Sequence, residues 1–195
     1  MSNKNSQIIL EDNLNDFSFK KSKSNINISF TEAASGIEVV LPLENESIKV
    51  KVPAGVDNGS VIRLRGRGGP GAAGAPDGDL LVQVSVEPHK FFKRSNMDLI
   101  LEVPLLFTEA ALGASIRIPT LTKPVTLKIP SGTPSGKTFK IRGEGVAPQG
   151  RRSGDLYVKV FIIPPTNLSR SAKKHLEKFR DQFESGDSPR KYLDE

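Results

Sequence analysis

The chain has 195 residues with a formal net charge of +6, and it contains no Cys, no Trp, 17 Gly and 14 Pro. Zero Cys excludes disulfides, thiolate zinc sites, iron–sulfur clusters and cysteine nucleophiles and suits a reducing compartment, while two histidines, His89 and His175, are too few for a His-rich metal site. A hydrophobic fraction of 36% supports only a modest core, no run approaches ~18 apolar residues, and Met1 to Gln7 lacks the basic start and apolar centre of a signal peptide.

A cytoplasmic protein with no metal, no cofactor and no membrane contact is therefore expected. In chain order, residues 1–23 form a polar arm that carries Phe17 and Phe19. Phe30-Thr31-Glu32-Ala33-Ala34-Ser35-Gly36 follows, with a Thr able to cap, helix formers behind it and Gly just past the end. That predicts a helix of one or two turns. Ile48/Val50/Val52, Ile62/Leu64 and Leu80/Val82/Val84/Val86 then alternate with polar residues, the period-two signature of half-buried strands.

From Phe107 the pattern begins again. Phe107-Thr108-Glu109-Ala110-Ala111-Leu112-Gly113 repeats the helix signal at an offset of 77 residues from Phe30. The same offset carries Val52-Pro53 onto Ile129-Pro130 and Ile62-Arg63-Leu64-Arg65-Gly66 onto Phe139-Lys140-Ile141-Arg142-Gly143. After a one-residue deletion Gly78-Asp79-Leu80 meets Gly154-Asp155-Leu156. A period this long is too large for a solenoid repeat and marks a duplicated domain. The expected fold is mainly β: two tandem small β-sandwich domains, at 24–94 and 95–168, each with one short helix.

The tail, 169–195, differs in character. Leu168, Ala172, Leu176, Phe179 and Phe183 fall on one stripe of an amphipathic helix, capped by Ser169 or Ser171 and stopped at Ser185-Gly186. The stripe packs either on its own domain or on a second copy, because domains of ~75 residues bury only about 60% of their surface.

Three apparent motifs do not carry chemistry. Gly66-Arg67-Gly68-Gly69-Pro70-Gly71 satisfies G-x-G-x-x-G, but Ala72 to Asp77 cannot begin the helix whose N–H groups would meet a pyrophosphate. Gly132 to Thr138 resembles a Walker loop whose first Gly position is Ser131, and Phe139-Lys140-Ile141-Arg142 continues as a strand; Gly55, Gly59, Gly132 and Gly136 are better suited to supply positive φ in turns. Basic residues at Arg63, Arg65, Arg67, Arg151 and Arg152 offer a phosphate footprint. The aromatics that would stack bases are few, and Phe139 and Phe161 sit at core-like alternating positions, so binding of curved or duplex DNA through these patches stands only as the alternative function. Neither His stands in a nucleophile–base arrangement, and the repeated residues are Gly, Pro and apolar ones. No enzyme is expected.

Taken together, the repeated Phe-Thr-Glu-Ala-Ala-x-Gly, Val/Ile-Pro-x-Gly-x-x-x-Gly and Gly-Asp-Leu-x-Val-x-Val segments resemble the C-terminal substrate-binding domains of DnaJ-type co-chaperones. Pro88-His89-Lys90-Phe91-Phe92-Lys93-Arg94 looks like that family's inter-domain junction. The zinc-finger insertion is missing between Val39 and Val52, as is the His-Pro-Asp loop of a J domain, so the likeness is to the zinc-less class that includes curved-DNA-binding types. The resemblance implies capture of unfolded polypeptide by β-augmentation at an apolar groove, delivery to a DnaK-type chaperone, and a homodimer. Carried over motif by motif, the groove falls on Ile26 and Ile28 of the first strand, Val39, Leu41 and Leu43 after the helix, and Val82 of the last strand. Dimerisation falls on Leu176, Phe179 and Phe183. Val39 stands where some relatives carry a Lys that helps hold the partner chaperone's acidic tail.

Overall fold

Alternating apolar residues build two β-rich units in the computed structural model, which describes residues 22–43, 46–71, 76–148 and 150–183. In the first unit β1 (Ser22–Ile28) leads into α1 (Phe30–Ser35), the hairpin β2 (Ile37–Pro42) and β3 (Ser47–Val52), then β4 (Val61–Leu64) and β5 (Leu80–Val86). The second unit comprises β6 (Phe92–Ser95), β7 (Asp98–Leu106), α2 (Phe107–Leu112), β8 (Ala114–Ile118), β9 (Val125–Ile129), β10 (Thr138–Ile141) and β11 (Leu156–Ile163), and α3 (Arg170–Phe183) ends the described chain.

Each unit packs one sheet against one hairpin, the sandwich-like arrangement that the alternation predicts. The first sheet has the order β1-β5-β4 beside the β2-β3 hairpin, and the second has the order β10-β11-β7-β6 beside β8-β9. β1 runs parallel to β5 with Ser24 beside Val82, and β7 runs parallel to β11 with Leu101 beside Val158. The parallel pairing is possible because the connections between the paired strands are long. Phe92–Ser95, of which residues 92–94 were expected with the first unit, pairs antiparallel with β7 in the second sheet.

The cores follow the inward phase of each strand. Ile26, Leu41, Val50, Val82 and Val84 are fully buried in the first, and Leu99, Leu105, Leu156, Val158 and Val160 in the second. Full burial of such a side chain is worth about 1.5–3 kcal/mol. Phe161 departs from expectation: it is out of phase with Leu156, Val158 and Val160 and faces outward.

The short helices form where the repeat places them, but the caps differ. In α1 the capping residue is Ser29, not Thr31: its hydroxyl accepts from the Glu32 N–H while the Glu32 carboxylate accepts from the Ser29 N–H at 2.7 Å, a capping box. In α2 the equivalent position is Leu106, and only the return bond remains, from the Leu106 N–H to Glu109 at 2.9 Å. In α3, Ser169 Oγ accepts from the Ala172 N–H at 3.1 Å. Ser185-Gly186, the expected stop, lies outside the described residues.

The two units are packed together through α1. Ala33 belongs to the first core and its neighbour Ala34 to the second. Phe30 stacks with Phe92 and meets the His89 ring at 5.4 Å. Arg94, largely buried, donates to the Gly55 and Val56 carbonyls, both at 2.7 Å, and pairs with Asp57 at 3.0 Å. His89 Nδ1 accepts from the Phe91 and Phe92 N–H groups, so the Pro88–Arg94 segment is a structured joint.

The repeated Gly-Asp-Leu explains the turns that end β4 and β10. Gly66 and Gly143 hold φ of +65° and +75°, where a side chain is strained. Asp79 accepts from the Gly66 N–H at 3.0 Å and from Arg63 Nε at 2.5 Å. Asp155 accepts from the Gly143 N–H at 2.8 Å and pairs with Lys140 at 2.6 Å. The Gly66 N–H, then Arg63, holds the Asp79 carboxyl below the usual range. Lys140, then the Gly143 N–H, does the same for Asp155, and Asp155 in turn raises Lys140.

Candidate peptide-binding groove

All six expected groove residues converge on one cluster, but they do not share one exposure. Ile26, Ile28, Leu41 and Val82 are buried in the first core, whereas Val39 and Leu43 are half-buried and pack at its edge. The inward phase of β1, β2 and β5 turns these four side chains toward one another. They therefore set the strand positions, and the surface beside them is made by other groups.

That surface has two parts. The first is a strand edge: β2 pairs only with β3, so its second edge has no strand partner among the described residues. An edge of this kind is a template for an added strand. On the outward face of β2, Val40 is 55% exposed, so the strand is apolar on both faces. The second is an open cavity of about 570 Å³, walled by Ser22, Lys23 and Ser24 of β1, by Pro42 and Leu43 at the end of β2, by the Gly66–Pro70 loop, and by Leu80. Its volume falls within the ~300–1,000 Å³ range of ligand pockets. Among the described residues, the Ser24 hydroxyl in its wall is the one buried side-chain polar atom with no hydrogen-bond partner.

The second unit keeps an unpaired edge on β8, as the first does on β2, but it fills the positions that wall the cavity. At the repeat offset Ser24 corresponds to Leu101 and Gly69 to Val146, and both are buried in the second core. The loops are otherwise superimposable in their bonding: Gly68 N–H to Gly78 carbonyl at 2.8 Å matches Gly145 N–H to Gly154 carbonyl at 3.0 Å. Gly68 and Gly145 must stay bare, because a Cβ would come within 2.6 Å of the Asp79 carbonyl oxygen and 2.5 Å of the Met97 carbonyl oxygen respectively. In the second unit the Val146 N–H bonds the Met97 carbonyl at 2.9 Å, and β6 takes the free edge of β7. Two small-for-large exchanges, with no strand beside the second edge of β1 among the described residues, therefore open the first unit. Ser24 and Gly69 were not singled out as site residues, although comparison of the two repeats would have found them.

The expected dimerisation stripe lies on α3. Leu176 is half-buried and Phe179 exposed, its ring meeting Phe107 edge-on at 6.0 Å; the Phe183 side chain lies outside the described set. The second unit also exposes Leu106, Leu112, Phe161 and Ile163, Leu112 to 79%. The repeat places Ser29, Ser35, Ser85 and Glu87 at the corresponding positions of the first unit.

The expected phosphate footprint is divided and partly neutralised. Arg63 pairs with Asp79 and Arg67 with Glu46, while Arg65 is exposed beside them. Arg151 and Arg152 lie in the loop before β11 of the other unit, also exposed. Among the described residues no helix is long and apolar enough to cross a membrane.

The family model for the DnaJ C-terminal domain matches residues 22–165, which span both units from the first residue of β1 to just past β11. The chain belongs to the DnaJ C-terminal domain family, a family of chaperone modules that bind polypeptide substrates and not of enzymes.

Proposed function

We propose that the first unit holds extended apolar segments of non-native polypeptides on the free edge of β2, with side chains of the client entering the cavity beside Leu43. The observation that carries this reading is the juxtaposition, in the first unit, of an unpaired β2 edge with an open cavity. Main-chain hydrogen bonds supply sequence-tolerant affinity, and a client strand inserts every second side chain on one face. The second unit acts as spacer. The α3 stripe, with Leu106 and Leu112 beside it, joins two copies into a homodimer that works in the cytoplasm and passes clients to a DnaK-type chaperone. Family membership supports the polypeptide ligand and the dimer in general terms.

Leu41 and Val82 are unsuitable probes, because both are fully buried and their replacement would disturb the fold. Val40→Asp with Leu43→Ser alters the rim instead. Loss of about 1.5 kcal/mol of apolar contact corresponds to roughly tenfold weaker client binding. The expected result is a matching loss of aggregation suppression for a denatured client in a variant whose thermal transition stays cooperative. Undiminished suppression would put the client elsewhere.

A further inference from the structure

The turn between β3 and β4 is strapped to β5 by the same bonds that strap its copy to β11. The Gly59 N–H donates to the Val84 carbonyl and the Val84 N–H to the Ser60 carbonyl, both at 2.8 Å. In the second unit Gly136 bonds Val160 at 2.7 Å and Val160 bonds Lys137 at 2.9 Å. Two residues further along β5 the Val86 N–H donates to Asn58 Oδ1 at 2.8 Å, and in β11 the Ile162 N–H donates to Ser135 Oγ at 3.1 Å. Asn58 and Ser135 correspond at the offset of 77. The strand end thus takes a side-chain acceptor that either residue supplies, but the two differ in reactivity. The Asn58 acceptor belongs to an amide, whose carbon the next backbone nitrogen can attack, and the next residue is Gly59. No other Asn in the sequence precedes Gly.

We infer that Asn58 is a site of spontaneous deamidation whose product loosens the strap on β5. The Gly59 nitrogen gives its proton to water, bonds to Asn58 Cγ and displaces Asn58 Nδ2 as ammonia, which leaves a five-membered imide. Water then opens the ring at one carbonyl or the other to give aspartate or isoaspartate, with no change in oxidation state. Asn58 and Gly59 are both exposed, so water reaches the ring. Gly59 holds φ of +80°, and a Cβ there would meet nothing within 4 Å, so no neighbouring group obstructs closure. The restraint is the strap itself, which holds the attacking N–H on Val84 and the amide on Val86. The reaction therefore proceeds from the opened turn.

The consequence follows from where the strap ends. Asn58 lines a cleft of about 240 Å³ at the joint together with Asp57, Glu87 and Arg94, and Arg94 reaches Asp57 across that joint at 3.0 Å. Either product adds a carboxylate to a cleft that already holds two. Isoaspartate also routes the main chain through the former side chain, so the oxygen that held Val86 is drawn away from it. The second unit, with Ser135 at this position, is spared.

The test incubates the full folded chain at mildly alkaline pH beside the same chain unfolded in urea. Peptide mass spectrometry locates the conversion, and enzymatic methylation of its carboxylate measures isoaspartate. Conversion at Asn58 is expected in both samples, about tenfold or more slowly in the folded chain. Asn58→Ser, which copies Ser135, is expected to show none at this position and to keep the parent's thermal transition. A folded chain that stays unconverted after the unfolded chain has reacted would overturn the site. Equal rates in the two samples would overturn the strap as its restraint. In the recovered converted chain, exchange of the Val84 and Val86 amides is expected to quicken about tenfold, with Val160 and Ile162 unaltered as the internal reference. Unchanged exchange at Val86 would overturn the loosening.

Discussion

The two units are copies that kept the same turns and spent their differences on the surface. Both retain a positive-φ Gly locked by the Asp of Gly-Asp-Leu, both run a parallel pair through the middle of the sheet, and both place a short helix at the same point. Where they diverge, the exchange is between small or polar and large apolar. Ser24 and Gly69 against Leu101 and Val146 leave the first unit with a cavity. Ser29, Ser35, Ser85 and Glu87 against Leu106, Leu112, Phe161 and Ile163 leave the second with more exposed apolar side chains. On the proposed function, the duplicated scaffold thus separates two tasks, client capture and self-association, without altering its turns.

The most severe way to break this comparison is to attack what the copies share. Leu41→Ser should cost the first unit about 3–5 kcal/mol, since it combines a cavity with a buried unpaired hydroxyl. Thermal melting would show a lowered transition for the first unit, and an unaltered curve would remove Leu41 from the core. Next in size is the surface of the second unit. A chain ending at Asn167 loses α3 and should sediment as a monomer while still binding a client peptide through the first unit. An unchanged dimer would place the interface elsewhere.

The smallest effect concerns the shared turns. Asp79 and Asp155 have depressed pKa values in the folded state, so their contribution is complete above the ordinary carboxylate pKa near ~3.9 and is lost as pH falls through the lower folded value. Both carboxylates are half-buried at the surface beside the more exposed Arg63 and Lys140, where solvent screens the pairs, and the loss is correspondingly small. Exchange of the Gly66 and Gly143 amides, corrected for its intrinsic pH dependence, should lose protection below about pH 4, and Asp79→Asn should remove the effect at Gly66 alone. Equal acid sensitivity in that variant would assign the turn to other groups.

Much of this fold was legible because period-two alternation survives wherever one strand face is buried. The phase of Leu156, Val158 and Val160 fixed which side of β11 is core, and the same phase puts Phe161 outside, although its size suggested otherwise. Strand partnership was not legible: Phe92-Lys93-Arg94-Ser95 reads as a linker because its pairing with β7 depends on a turn at Asn96 with positive φ. The helix caps failed in a similar way, since Thr31 and Ser29 are both capping residues and only the reciprocal bond with Glu32 decides between them. For the groove, the six positions implied by the resemblance fall in one cluster, but four of them, Ile26, Ile28, Leu41 and Val82, are inward side chains. An inward phase is what conspicuous apolar alternation reports. The residues that make the opening, Ser24 and Gly69, are inconspicuous except against their partners in the other repeat.

That contrast supplies the most direct measurement. Ser24→Leu with Gly69→Val gives the first unit the two residues that close the second, in positions whose backbone the copies share. The expected variant is at least as stable as the parent, because a cavity and an orphan hydroxyl are removed, and captures denatured client about tenfold more weakly. Client capture equal to the parent's in the folded variant would contradict the claim that opening the first unit is what makes it a binding site.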